Sequence, residues 1–173
     1  MREAPRESPR EALATRPRTA IILFGAIIVG TLDILFAIAF WFPRGVGPTT
    51  IFQSVAAGLY GRDAFTGGTH TMLIGAALHY FIALCIVLVY WLAGRQFEIL
   101  VRRPLLFGAI YGILVYVVMN YVVIPLSATS RPAFIFSWVA WSVVVHAFLV
   151  GVPAALTAKT ALYRSPVTEP APV

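Results

Sequence analysis

Four long apolar stretches, at residues 20–42, 71–93, 105–124 and 134–158, constrain this chain more than any other feature of its sequence. A helix needs about 20 consecutive apolar residues to cross the hydrocarbon core of a bilayer, and each stretch is close to that length. The chain of 173 residues is 60% hydrophobic and only 12% charged, whereas soluble domains are roughly 25% charged. The sequence therefore predicts an all-α integral membrane four-helix bundle.

Prolines mark the ends of the apolar stretches and interrupt one of them. Pro43 follows the first stretch, Pro104 precedes the third where a missing N–H is harmless, and Pro125 closes the third. Pro153 lies inside the fourth stretch, where it removes the hydrogen bond to the carbonyl group of Leu149. We expect a kink in the fourth helix at this point.

The basic residues indicate how the chain crosses the membrane. Ten of the 13 Lys and Arg residues lie in the two tails and the middle loop, and three lie in the other two loops. Because Lys and Arg favour the cytoplasmic side, both termini are expected in the cytoplasm. The ten are Arg2, Arg6, Arg10, Arg16, Arg18, Arg95, Arg102, Arg103, Lys159 and Arg164, and the three are Arg44, Arg62 and Arg131.

The chain is expected to hold one membrane domain, residues 19–159, between disordered cytoplasmic tails at 1–18 and 160–173. Its basic residues form no contiguous patch with stacking aromatics, which argues against nucleic-acid binding. The single Cys85 lies in an apolar stretch and predicts a packing role. The expected partner is the lipid bilayer; a homo-oligomer stays open, and the pattern indicates no particular small-molecule or protein partner.

The loop between the first two stretches contains a shorter apolar segment. Residues 50–59 place Ile51, Val55 and Leu59 on one helical face, which predicts a short external helix lying on the bundle or in the headgroup layer. A short re-entrant segment is the weaker alternative, because its unpaired backbone groups would need protein or water around them.

Each long stretch carries a strongly polar side chain. These are Asp33 in the first, His79 in the second, Asn120 in the third and His146 in the fourth, with Ser142 one turn before His146. At about 1.5 Å per residue, all of them fall between the outer interface and the midplane. Lipid offers such groups no partner, so we expect them to face one another in a polar layer inside the bundle.

Small residues share the helical faces of these polar residues. Gly108 and Gly112 form a GxxxG pair on the face of Asn120, Gly75 lies one turn before His79, and Gly30 lies on the face of Asp33. Such residues allow close helix packing in membranes, so we expect all four glycines at helix contacts.

The polar layer has three interpretations. Asp33 and His79 lie at matching depth and are expected to pair, with His146 as a further partner for Asp33. The favoured interpretation is a hydrogen-bonded network that fixes helix register; the next is a proton relay or small-solute pathway. A metal site from His79, His146 and Asp33 is the weakest interpretation, because no two ligands share a helix at metal-binding spacing. No cofactor and no catalytic residue are predicted.

The segments IFQSVAAGLYGRDAFTGG, GAALHYFIAL, RRPLLFGAIYG and MNYVVIPLSA resemble a widespread group of uncharacterised bacterial four-helix inner-membrane proteins. The resemblance runs from about residue 25 to residue 159 and implies the fold and the location, with no established activity. A looser similarity to YagU-like inner-membrane proteins implies a link to acid-stress survival, although the long insertion of their first external loop is missing here.

The expected function is that of a small non-enzymatic inner-membrane protein of structural, stress-related or partner-binding type. The alternative is a proton or small-solute permease that uses Asp33, His79 and His146, and a membrane metalloenzyme comes third. The sequence shows no Gly-rich phosphate loop, nucleophile elbow or paired carboxylates that would favour hydrolysis or phosphoryl transfer.

Overall fold

The computed structural model describes residues 18–129 and 133–163. Every regular element within these ranges is helical. Four helices are long and apolar enough to cross a membrane, which confirms the predicted all-α integral membrane four-helix bundle. The first span is Arg18–Arg44, the second Gly68–Gln96, the third Pro104–Leu126 and the fourth Phe136–Tyr163.

The spans are assembled from the following elements. The α-helices are α1 (Arg18–Trp41), α2 (Pro48–Tyr60), α3 (Gly68–Gln96), α4 (Glu98–Arg102), α5 (Pro104–Val118), α6 (Ile124–Leu126), α7 (Phe136–Val145) and α8 (Val152–Tyr163). Short 3₁₀ turns occupy Phe42–Arg44 and Gly61–Phe65, and π-helical turns occupy Met119–Val123 and His146–Gly151. The third and fourth spans are therefore each two α-helices joined by a π turn.

The fourth span continues beyond its predicted end, because α8 runs to Tyr163. Ala161 is completely buried, and Leu162 packs against a core cluster at the same end of the bundle. This packing keeps residues 160–163 helical, although they were assigned to the C-terminal tail. The rest of the two expected tails, residues 1–17 and 164–173, lies outside the described residues.

The fourth span is the centre of the bundle and packs against each of the other three. Its α8 segment presents alanines to the neighbouring helices, and Ala154, Ala155, Ala158 and Ala161 are each 0% exposed. Side chains this small let helix backbones approach closely, which is how helices associate where lipid removes the hydrophobic driving force. The core therefore forms around α8.

Two tyrosines connect the second and third spans near α4. The Tyr111 hydroxyl donates to the Ile86 carbonyl oxygen at 2.8 Å, and the Tyr90 hydroxyl donates to the Leu100 carbonyl oxygen at 2.9 Å. Their rings meet edge to face with centroids 5.0 Å apart. Each buried hydroxyl thus has a main-chain acceptor, as a polar group inside a membrane bundle requires.

The external helix predicted at residues 50–59 is present as α2, Pro48–Tyr60, and it packs against α3. Gln53 is 5% exposed, and its amide Nε2 donates to the Gly68 carbonyl oxygen at 3.0 Å. The Thr71 hydroxyl donates to the Ala64 carbonyl oxygen at 2.6 Å. These bonds attach the loop to the first turn of the second span.

Candidate functional site

The Asp33 carboxylate in the first span lies next to His146 in the fourth. Its Oδ1 atom is 4.0 Å from Nδ1 of His146, and the two side chains are 28% and 17% exposed respectively. We call Asp33 and His146 the carboxylate–imidazole pair. The structure thus places Asp33 beside His146, the second of the two partners that the sequence indicates, and not beside His79.

His79 joins the second span to the backbone of the first. Its Nε2 atom is 2.7 Å from the carbonyl oxygen of Gly30, which can only accept, so Nε2 carries the hydrogen. Next to this bond, the hydroxyls of Thr31 and Tyr80 are 3.1 Å apart. Gly30 lies about one turn before Asp33, and His79 bonds to the main chain there rather than to the carboxylate.

His146 is held by its own helix as well as by Asp33. Its Nδ1 atom donates to the Ser142 carbonyl oxygen at 2.8 Å, which fixes the tautomer of the neutral ring. The ring also meets Tyr116 of the third span edge to face, with centroids 5.4 Å apart. The Ser142 side chain is only 2% exposed, and its Oγ atom has no hydrogen-bond partner within the described ranges.

Asn120 does not bond to the other spans, as a shared polar layer would require. Its Nδ2 atom donates to the Tyr116 carbonyl oxygen at 2.9 Å, four residues earlier on the same span. This bond satisfies the amide locally and makes no connection to another span. The polar layer therefore consists of separate local contacts rather than one network through Asp33, His79, Asn120 and His146.

Asn120 and His146 each lie in a π turn that the hydrophobic periodicity of the sequence did not predict. The N–H of Ile124 donates to the Met119 carbonyl, and the N–H of Val152 donates to the Ala147 carbonyl, each across five residues. A proline follows each donor directly, at positions 125 and 153. Proline lacks an N–H and clashes with the carbonyl four residues earlier, which favours a wider preceding turn. Pro125 and Pro153 are thus the sequence features that could have indicated the two π turns. π turns often occur at functional sites.

The predicted packing glycines all lie at close contacts, although their partners differ in kind. A Cβ added to Gly108 would lie 2.9 Å from the Gly151 carbonyl oxygen, and one added to Gly112 would overlap the His146 carbonyl. A Cβ at Gly30 would lie 2.7 Å from the Tyr80 ring. Gly75 instead accommodates the backbone of the external helix at Phe52.

An aromatic cluster lies one to two turns from Asp33 and two turns from His146, toward the Trp41 end of the first span. We define it as Phe36, Phe40 and Trp41 of the first span with Trp138 of the fourth. Phe36 and Trp138 stack with centroids 5.4 Å apart, and Trp138 also contacts Phe40 and Trp41 at 5.0 and 5.3 Å. The cluster joins the Trp41 end of the first span to the Phe136 end of the fourth.

The site brings one carboxylate and one imidazole from two different spans to within 4.0 Å of each other. Across residues 18–129 and 133–163, no three His, Cys, Asp or Glu side chains converge as a metal-binding group. The geometry therefore does not bring His79, His146 and Asp33 together as ligands, and the metal interpretation gains no support.

No protein-family model, curated protein or solved structure matches this chain. The similarity to bacterial four-helix inner-membrane proteins therefore depends on the quoted sequence segments alone.

Proposed function

We propose that this protein is a small non-enzymatic membrane protein with a structural or partner-binding role, in which polar side chains fix the register of the four spans. The resemblance to four-helix inner-membrane proteins favours the bacterial inner membrane as its location. The looser YagU-like similarity favours a stress-related context.

The bond from His79 to the Gly30 carbonyl is the observation that carries this proposal. It connects two spans at 2.7 Å through a main-chain oxygen. His146 and Asn120 also donate to main-chain carbonyls, of Ser142 and Tyr116, but within their own spans. Main-chain carbonyls do not titrate, so the bond from His79 holds two spans together without passing protons along a chain of groups.

The permease alternative would need a connected path through Asp33, His79 and His146. His79 is bonded to the backbone of the first span rather than to the carboxylate–imidazole pair. The three side chains accordingly act at two separate places, which favours the structural role over conduction.

Asp33→Asn in proteoliposomes tests the choice between these roles. The variant keeps a polar side chain and removes the charge, so the structural role predicts a lower melting temperature and an unchanged proton flux. Asp63→Asn, at the exposed turn Gly61–Phe65, is the matched control and should change neither quantity. Loss of proton flux at an unchanged melting temperature would overturn the proposal in favour of conduction.

The proposed orientation places both termini in the cytoplasm. Arg18 begins the first span, Arg95 lies at the end of the second, and Arg103 precedes the third, so basic residues gather at one end of the bundle. In a Cys85→Ala background, a membrane-impermeant maleimide should label Thr49→Cys in spheroplasts and Glu98→Cys only after lysis. The reverse labelling would refute the orientation.

A further inference from the structure

We propose that the connection between the second and third spans binds the headgroup of an anionic phospholipid, with Arg95 and Arg103 as its cationic contacts. We call this segment, residues 95–105, the basic connection. The bound lipid is separate from the contacts that fix helix register, so the inference does not depend on the proposed function.

The basic connection lies at the end of the bundle where positive charge is in excess. Within the described ranges, Glu98 is the single acidic residue at this end. The opposite end holds Arg44, Arg62 and one acidic residue, Asp63. Clustered basic residues next to membrane spans attract anionic lipid headgroups. The exposed basic residues at the end with the connection are Arg18, Arg95, Arg102, Arg103 and Lys159.

Arg95 and Arg103 have charges that no carboxylate neutralises in the described part of the chain. Arg102 is different, because its Nε atom lies 2.9 Å from Oε1 of Glu98. The guanidinium carbon of Arg95 lies 5.1 Å from the centre of the Trp91 ring, a contact that uses its charge and not its N–H donors. Phosphate oxygens are strong acceptors for such donors, so a phosphate group fits both arginines.

Helix packing keeps the two arginines near one point of the bundle. A Cβ added to Gly94 would lie 2.9 Å from Cγ1 of Val101, so the end of the second span touches α4 directly. Arg95 follows Gly94, and Arg103 lies two residues after Val101. The N–H of Arg103 donates to the Ile99 carbonyl oxygen at 3.2 Å, which fixes its backbone at the end of α4. The two arginines are therefore held on either side of one helix contact.

Apolar side chains are exposed along the same connection. Phe97 and Ile99 lie between the two arginines in the sequence, and Leu105 follows them in the first turn of the third span. A phospholipid offers acyl chains to such side chains and a phosphate to the arginines, whereas a free phosphate ion gains nothing from them. The combination of charge and apolar surface therefore favours a phospholipid over a free anion.

The acidic residues of the N-terminal tail are the competing occupants within the chain. Glu3, Glu7 and Glu11 precede the first span. Residues 1–17 are nevertheless basic on balance, and like charges repel, so charge complementarity favours the lipid. The arginines of this stretch are Arg2, Arg6, Arg10 and Arg16.

Native mass spectrometry of the unmodified full chain tests the proposal. The protein is released from micelles that contain equal amounts of phosphatidylglycerol and phosphatidylcholine with identical acyl chains, so the two lipids differ in headgroup charge. We expect phosphatidylglycerol to be retained at least about tenfold better than phosphatidylcholine. Equal retention would overturn the proposal. If equal retention became selective once Glu3, Glu7 and Glu11 were all changed to Gln, the tail would be the occupant instead.

Inorganic phosphate provides the second arm of this experiment. In tenfold excess over the lipid, it should leave phosphatidylglycerol bound, because it cannot contact the apolar side chains of the basic connection. Displacement of the lipid at that excess would show that a free anion is sufficient, and the lipid assignment would be wrong.

Variants locate the site. Arg95→Gln and Arg103→Gln should each weaken phosphatidylglycerol binding about fivefold. Arg62→Gln is the matched control, because it removes the same charge from an exposed arginine at the opposite end of the bundle, and it should leave binding unchanged. The melting temperature in phosphatidylcholine micelles shows that each variant is folded. Equal losses for Arg62→Gln and Arg103→Gln, or no loss for either arginine of the site, would exclude the basic connection as the binding site.

Discussion

Gly112 of the third span lies directly against the carbonyl oxygen of His146 in the fourth, and a Cβ at this position would overlap that oxygen. One turn earlier, Gly108 makes the corresponding contact with Gly151. The third span therefore packs directly against the π turn of the fourth span, which contains His146, the neighbour of Asp33. Contacts between Cα hydrogens and carbonyl oxygens recur at such helix crossings.

Gly112→Ala should destabilise the bundle by about 1–3 kcal/mol, because the added methyl group forces two closely packed backbones apart. The measurement is the free energy of unfolding in detergent micelles. Gly47→Ala is the control, since a Cβ there would meet no atom within 4 Å and the backbone φ is −73°. Equal stability of Gly112→Ala and the unmodified protein would show that the two spans do not pack this closely.

His79→Leu should lower the unfolding free energy by about 0.6 kcal/mol and at most about 1.7 kcal/mol, the range measured for hydrogen bonds between membrane helices. The cause is loss of the bond to the Gly30 carbonyl oxygen. His70→Leu is the control, because His70 is exposed in the first turn of α3. If the two substitutions cost the same, the bond from His79 to the first span contributes nothing.

Deletion of Phe148 should be tolerated better than deletion of Leu156. Phe148 lies in the π turn His146–Gly151, where the turn holds one residue more than an α-helical turn, so its removal leaves the flanking segments in phase. Leu156 lies in regular α-helix, and its removal rotates the rest of α8 by about 100°.

Both deleted residues face away from the core, with exposures of 61% for Phe148 and 43% for Leu156, so lost burial is similar. The yield of folded, monodisperse protein and its melting temperature measure the difference. If the Leu156 deletion gives a yield and a melting temperature equal to or higher than those of the Phe148 deletion, the register argument is wrong.

Trp138→Ala should destabilise the protein more than Trp141→Ala, although both residues lie in α7. Trp138 packs with Phe36, Phe40 and Trp41, whereas Trp141 is 58% exposed. Aromatic pairs contribute about 0.5–1.5 kcal/mol beyond the area they bury, so the two substitutions should differ by at least about 1 kcal/mol. Comparable unfolding free energies for the two variants would mean that the cluster does not hold the first and fourth spans together.

The sequence predicts the four spans and the external helix well, because length and hydrophobicity decide both. It does not decide which imidazole meets Asp33. His79 and Asp33 have similar depth, but partner choice depends on rotation about the helix axis, and one residue corresponds to about 100°. The contact of His79 with Gly30 instead of Asp33 depends on the packing of the whole span.

The sequence pattern also fails to predict the two π turns and the central position of the fourth span. A π turn alters the 3.6-residue period for only one turn, so its main trace is the proline that follows, as at Pro125 and Pro153. The buried alanines of α8 lie in a segment of modest hydrophobicity, where small residues give little signal although they decide which helix becomes the core.

The span that each of the other three packs against is the last of the four in the sequence, so it is made after its partners and sets the order in which the bundle assembles. The first and second spans can associate while synthesis continues, since they contact each other directly. The third span packs chiefly on the fourth, so before the fourth is made its main contact is that of Tyr111 with the second span. Chains that stop before Phe136 should therefore hold a paired hairpin and a weakly attached third helix, which membrane proteases can attack.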